Sequence, residues 1–167
     1  MAVKDPKVIE DLKTAFSGES QANRKYLAYA HKAEQEKLPY AAKIFRAAAE
    51  AETIHAHSHF RLLAGVKSTA ENLQDAINGE TYEFTKMYPE MLEDAKKANE
   101  SMAISGFHMA NEAEKIPAEL FQKALANPGQ EAPKIFVCKV CGHVAEGEAP
   151  EVCPICGSKR QVYFEIH

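Results

Sequence analysis

The stretch "EAEKIPAEL", Glu112–Leu120, repeats "EAETIHAHS", Glu50–Ser58, some sixty residues earlier. Glu50, Ala51, Glu52, Ile54 and Ala56 return as Glu112, Ala113, Glu114, Ile116 and Ala118, whereas His55 returns as Pro117. A second pair supports the repeat: "GES" at Gly18–Ser20 matches "GET" at Gly79–Thr81, and a tyrosine follows each glutamate, Tyr26 after seven residues and Tyr88 after eight. These matches pair a first helix with a third and a second with a fourth. The chain therefore reads as a duplicated helical hairpin.

Local signals place the four helices. Asp5–Pro6 is an N-cap followed by proline at the first helical position, opening a helix to about residue 37 with Leu12, Phe16, Glu19, Asn23 and Tyr26 on one face. Pro39 opens a second helix to about Leu63, with Gly65 as its stop, and Thr69 caps the third. Pro89 should kink or divide that third helix. A fourth runs from about Glu100 to Ala126, and "NPGQEAP", Asn127–Pro133, is a linker. Four helices with short connections pack as a bundle. The fold class expected is mainly α: a four-helix bundle over residues 1–130, then a small cysteine domain over 131–167.

Composition excludes several partners. The 167 residues are 46% hydrophobic and 26% charged with net charge −4, ordinary for a globular protein. There is no Lys/Arg cluster to track a nucleic-acid backbone, no apolar run of signal-peptide length, and no segment to span a bilayer. A cytoplasmic location is the default. All four cysteines lie near the C-terminus, which favours metal binding over disulfides.

The helix faces carry chemistry. Glu19 is in phase with Phe16 and Tyr26; Glu52 and His55, three apart, are in phase with Phe45 and Leu62. Glu80 and Glu83 are also three apart, and Glu114 is in phase with Phe107 and Phe121. One such glutamate alone is usually solvated by its own length, and a lone inward histidine is usually a satisfied core residue. Five carboxylates and an imidazole in one core, however, require counter-charge, because each buried ion costs several kcal/mol. Metal cations supply it, and a Glu from each of two helices with Glu-x-x-His from the others is the di-iron carboxylate pattern. Glu50 and Glu112 lie about 200° from their partners and should face solvent. His57 is off-phase, and His59 lies about 6 Å beyond His55, too far for the same metal.

In the tail, "CKVCG" and "CPICG" place Cys138, Cys141, Cys153 and Cys156 as two C-x-x-C knuckles with eleven residues between them. Two knuckles complete a tetrahedral all-sulfur site, for which zinc and a single iron are both acceptable. The bland alternative is a zinc ribbon that only holds the tail together.

Taken together, "FSGESQANRKY", "EAETIHA", "NGETYEFTKMYP", "EAEKI" and the tail "CKVCG…APEVCPICG" resemble the rubrerythrins over essentially the whole chain. The resemblance implies a non-haem iron peroxidase that reduces hydrogen peroxide to water at two iron ions in the bundle. Electrons would arrive through one iron held by the four cysteines, from a reductase or small electron-carrier protein. It makes Glu19, Glu52, Glu80, Glu83 and Glu114 carboxylate ligands, with Glu52 and Glu114 bridging. His55 would be an imidazole ligand exchangeable with Glu83, and Tyr26 and Tyr88 would hydrogen-bond the ligands. It also implies a ferritin-like four-helix bundle over 1–130 followed by a rubredoxin-like metal-bound β/loop domain over 131–167, a head-to-tail homodimer and a role against oxidative stress.

Pro117 departs from that pattern, standing where the family has a second histidine. A proline there supplies no ligating atom, removes the hydrogen bond to the Ala113 carbonyl and costs about 3 kcal/mol in a regular helix. His108 is about 180° away around the helix and His31 about 18 Å along from Glu19, so neither substitutes. Three outcomes follow: a second metal bound through oxygens and water alone, a weakly held metal giving a mononuclear or mixed-metal site, or a local helix shift that brings in another ligand. A retained two-metal site of abnormal occupancy is favoured. The competing functions are an electron-transfer or metal-binding protein with an impaired di-metal site, and ferritin-like iron oxidation and storage.

Overall fold

A computed structural model describes residues 3–167. The chain forms two compact units that divide after Lys67.

The first unit is a helical hairpin of α1 (Pro6–Gln35) and α2 (Pro39–Leu62). Asp5 caps α1 as expected, its carboxylate accepting from the backbone N–H groups of Lys7 and Val8 at 2.9 and 3.0 Å. Small residues let the two helices meet: Ala30, Ala33, Ala42, Ala49 and Ala56 are buried. Asn23 crosses this seam, its Nδ2 donating to the Ala49 carbonyl and to Thr53 Oγ1, both at 2.8 Å. At the far end Phe16 and Phe60 stack at 5.1 Å. The stop of α2 differs from the sequence reading. Ala64, not Gly65, takes the left-handed position (φ 53°), and the Gly65 N–H closes the turn on the Phe60 carbonyl at 2.9 Å. Gly65 is needed for space instead, since a Cβ there would collide with the Phe60 ring.

The second unit begins with α3 (Thr69–Tyr82). Its cap is Ser68 rather than Thr69: the Ser68 hydroxyl accepts from the Glu71 N–H while Glu71 reaches back to the Ser68 N–H, a reciprocal capping box. A π-helical turn follows over Glu83–Met87, then α4 (Tyr88–Lys97). Pro89 does divide this helix, with a specific geometry. The Tyr88 N–H reaches back five residues to the Glu83 carbonyl, and the widened turn makes room ahead of a residue that has no N–H to give.

The expected single fourth helix is two, α5 (Ser101–Ala113) and α6 (Lys115–Ala126), separated at Glu114. Pro117 explains the break, because it cannot donate to the Ala113 carbonyl. Placed in the first turn of a new helix, it forfeits nothing. Helices α3 and α6 pack together, as do α4 and α5.

The unit ends in a three-stranded antiparallel sheet of order β2-β1-β3, with β1 Ile135–Cys138, β2 Val144–Glu146 and β3 Tyr163–Ile166. Ile135 pairs with both Glu146 and Ile166. Lys123 on α6 ties to Glu146 on β2 through Nζ at 2.6 and 2.7 Å from the two carboxylate oxygens.

Candidate metal centres

The six helix residues singled out in the sequence fall as two triplets, one in each unit. In the first unit Glu19 comes from the middle of α1, and Glu52 and His55 from consecutive turns of α2. One ligand atom from each lies within 4.8 Å of the others. His55 Nδ1 is 3.4 Å from Glu52 Oε2. The Glu19 and Glu52 carboxyls share a hydrogen bond, and that bond, followed by burial and the Glu52 charge, makes Glu19 harder to ionise. Two carboxyls beside an imidazole are an oxygen- and nitrogen-rich donor set on which a cation could be held, its charge relieving their mutual repulsion.

The second unit repeats the pairing. Glu80 and Glu114 are hydrogen-bonded, as Glu19 and Glu52 are, so each unit joins its "GE[S/T]" glutamate to its "EAE" glutamate. Burial, then the charges of Glu80 and Glu83, push the Glu114 carboxyl up to about 7. Glu80 is also raised, by burial first and then by Glu83. This triplet is looser: among the described residues, only the first-unit group and the cysteines place three or more candidate ligand atoms within 4.8 Å. The helix breaks at Glu114, three residues before Pro117, and among the described residues the break brings no histidine into such a group.

The tyrosines sit differently. Tyr88 lies beside the second triplet, its hydroxyl made harder to ionise by burial and by the charges of Glu114, Glu83 and Glu80. Tyr26 packs its ring against Phe45 and Tyr29, both at 6.3 Å. The π turn accounts for the unequal spacing noted in the sequence. Tyr88 follows its glutamate by one residue more than Tyr26 does, and a π turn absorbs one extra residue.

Two controls behaved unequally. Glu50 is exposed, as expected. Glu112 is half-exposed and paired with the half-exposed Lys115 at 2.6 Å. His59 lies outside the compact triplet. Its Nδ1 is buried without a hydrogen-bond partner.

At the sheet end, the four cysteine sulfurs lie within 4.8 Å of one another. Cys138–Cys156 and Cys141–Cys153 are 3.8 and 3.5 Å apart. A tetrahedron with metal–sulfur bonds of about 2.3 Å has edges of about 3.8 Å, so the cage fits one tetrahedral ion. Each knuckle closes on a glycine. Gly142 and Gly157 have φ of 80° and 72°, and each N–H bonds at 3.0 Å to the carbonyl of the knuckle's first cysteine.

Burial opposes ionisation of Cys153. The N–H groups of Cys156 and Ile155 and the Tyr163 hydroxyl outweigh it, bringing the thiol down to about 6. For Cys156, donors from Ser158 likewise outweigh burial and lower it. Cys141 is raised, chiefly by burial, the behaviour of a thiol whose neighbours already carry the charge.

Sequence reasoning missed two residues here, His143 and Tyr163. His143 is buried, and its Nδ1 lies 2.9 Å from the Tyr163 hydroxyl, which also reaches the Cys153 sulfur. Nothing in the C-x-x-C spacing points to a tyrosine on β3. The alternation of that strand, which turns Tyr163 inward and Phe164 outward, was the available signal.

Comparisons with known proteins agree along the whole chain. The profile of the family described as rubrerythrin matches residues 10–125, and that of the rubrerythrin rubredoxin-like domain matches 136–165. Rubrerythrin-2 of Clostridium acetobutylicum is 38% identical over 98% of both chains. Nigerythrin of Nitratidesulfovibrio vulgaris is 33% identical, over 89% of this chain and 81% of that one. Among solved structures, partially reduced nigerythrin superposes with TM-score 0.59 at 31% identity, covering 99% of this chain and 89% of the other. A structure described as fully reduced, all-ferrous nigerythrin superposes equally, with TM-score 0.59.

Proposed function

The chain belongs to the rubrerythrin family, and from that premise we propose that it reduces hydrogen peroxide to water. The fold class is that of the family, a ferritin-like helical domain followed by a rubredoxin-like one. Its cofactors are the family's di-iron site and four-cysteine iron site. We place the boundary between the domains near residue 130, giving 1–130 and 131–167. The matches to 10–125 and 136–165 support that division.

The observation that carries the proposal is the presence, on one chain, of matched carboxylate pairs and a four-sulfur cage. Glu19, Glu52 and His55 would hold metal in the first unit, and Glu80, Glu83 and Glu114 in the second. When bound, reduced iron supplies the two electrons that peroxide reduction requires. The protein's own part concerns protons and geometry. A ligand carboxylate such as Glu114, which burial inclines to hold a proton in the metal-free protein, would help move the protons that the reaction consumes. Tyr88, beside the same carboxylates, can orient them through its hydroxyl. The cysteine cage, cysteinate-rich and half-buried, suits one-electron relay from an external reductase or small carrier protein. A head-to-tail homodimer would let one subunit's relay serve another's carboxylate site.

Anaerobic stopped-flow mixing of reduced protein with hydrogen peroxide tests this. Fast reoxidation of the helical-domain iron, followed by bleaching and recovery of the thiolate-to-iron absorption, is the expected result. Failure to reoxidise refutes the enzyme reading.

Pro117 favours a second reading. Where the first unit offers an imidazole, the second offers only carboxylates, so an electron-transfer or metal-binding protein with an altered di-metal site is the alternative. Normal cysteine-site redox chemistry without peroxide turnover would establish it.

A further inference from the structure

Among the described residues, His59 Nδ1 is the only buried side-chain nitrogen with no hydrogen-bond partner. An unpaired buried polar atom is costly, and it marks a place where a partner is missing. The repeat sets this position apart. His55 and His59 of the first copy return as Pro117 and Phe121 in the second, so both imidazoles belong to one copy alone.

The register of the hairpin points to the missing partner. The Phe16–Phe60 stack at 5.1 Å and the bonds from Asn23 to Ala49 and Thr53 tie α1 to α2 in antiparallel sense, and Glu19 lies between these ties. His59 therefore stands about one turn, roughly 6 Å, from the level of Glu19. Helical side chains lean toward their own N-terminus, so on antiparallel helices the Glu19 carboxyl and the His59 ring lean toward each other. The electrostatics agree. The hydrogen bond to Glu52, burial and the Glu52 charge oppose ionisation of Glu19, whereas the imidazoles of His55 and His59 favour it.

Metal changes the hydrogen bonding at Glu19. Without it, the Glu19 carboxyl is satisfied by Glu52. A cation held by both carboxylates takes the place of that bond and leaves the outer oxygen of Glu19 in need of a donor. Ligating carboxylates are themselves hydrogen-bonded in metal sites. We propose that His59 is the positioning residue of the first-unit metal centre: with metal bound, its Nδ1–H donates to the Glu19 carboxylate, directly or through one water, and fixes the ligating orientation. A neutral imidazole carries its hydrogen on either nitrogen, so the ring need not change charge to do this. The second copy has Phe121 at the matching place and Tyr88 beside its carboxylates, so the two copies orient their ligands with different side chains. The inference rests on metal being held by Glu19, Glu52 and His55, not on peroxide turnover.

The test uses the full chain and zinc, which is redox-inert, with the cysteine cage filled first. Long-range proton–nitrogen NMR correlations read which ring nitrogen of His59 carries the hydrogen. Filling the helical sites should place it on Nδ1 and slow its exchange with water. In the same titration, signals of α1 and α2 report the first centre and those of α3 and α6 the second. His59→Phe, which keeps an aromatic ring as Phe121 does, should weaken zinc binding at the first centre about tenfold and leave the second within about twofold. His59→Asn sets an amide nitrogen where Nδ1 stands and should recover most of that affinity, whereas His59→Gln reaches the Nε2 position and should not. An Nδ1 without hydrogen in the zinc protein, or first-centre affinity unchanged in both the Phe and Gln variants, overturns the proposal whatever the peroxide rates. Equal weakening at both centres in a variant that folds, judged by circular dichroism, also overturns it, because the role is then structural. If His59→Phe does not fold, the wild-type spectrum and the Asn–Gln pair decide. Zinc confined to the cysteine cage would refute the metal assignment in the helices, and the role of His59 with it.

Discussion

Replacing Tyr163 by Phe isolates one hydrogen bond at the cysteine cage. The Tyr163 hydroxyl lies between His143 Nδ1, at 2.9 Å, and the Cys153 sulfur. With Cys153 ionised, the hydroxyl donates to sulfur and its oxygen accepts from the His143 ring N–H. The edge-on packing of the two rings, 5.9 Å and 87°, survives the substitution, so the change removes the donor to sulfur and leaves the buried His143 Nδ1 without its partner, a cost that falls on both oxidation states alike. A hydrogen bond to a charged group contributes about 1.5–3 kcal/mol.

Only the part that differs between the two oxidation states moves the potential. Reduction adds negative charge to the sulfurs and strengthens the bond. Taking that part as about 0.5–1.5 kcal/mol, and 59 mV per tenfold change for one electron, the potential should fall by about 20–65 mV. Spectroelectrochemical titration of the iron-loaded full chain measures it, with iron content and thiolate-to-iron absorption as controls. A shift under about 10 mV, or a positive one, with the spectrum intact, would show that the hydroxyl does not donate to the sulfur.

Pro117→His should raise metal content in the helical domain by restoring an imidazole to the carboxylate-only triplet. Elemental analysis beside peroxide kinetics checks this, and equal iron and equal rates would mean the proline is immaterial. Gly65→Ala should destabilise the first unit by about 1–3 kcal/mol in urea unfolding, because its Cβ pushes Phe60 off its stack with Phe16. In metal-free protein, Glu114 holds its proton to about 7 when folded, against an ordinary 4.5. The folded state then binds more protons than the unfolded one between those values, so stability falls as pH rises through that window and levels above it. Thermal melts at stepped pH read the slope. A rise across the window would contradict the burial of this carboxyl, and added metal should abolish the fall.

Much of the helical layout was legible because it rests on short-range chemistry. Asp5–Pro6 and the knuckles "CKVCG" and "CPICG" each fix their own geometry within a few residues. The misplaced cap at Thr69 was avoidable, since Ser68-x-x-Glu71 already spells a capping box. Gly65 misled for a different reason. Glycine is the usual left-handed residue, but here the space beside Phe60 decides its place and Ala64 takes the strained backbone.

The carboxylate pairs were readable from phase and repetition, whereas their differing compactness was not. It depends on the break at Glu114, a backbone response to Pro117 whose direction no helical wheel contains. Tyr163 and His143 are twenty residues apart and meet only once the sheet forms.

The π turn at Glu83–Met87 has a consequence for how the two halves of the chain diverged. An inserted residue in a helix normally rotates everything downstream by about 100°, which would carry Tyr88 off the face that Glu80 shares. Here the widened turn confines that rotation to five residues, so a length change was accepted without moving the tyrosine away from the carboxylates. Copies of an ancestral hairpin can thus differ in length and still offer superimposable chemistry. Deleting Thr85 should remove the π turn and keep Tyr88 facing Glu80, leaving the two copies equal in length between glutamate and tyrosine while Pro89 still kinks the helix.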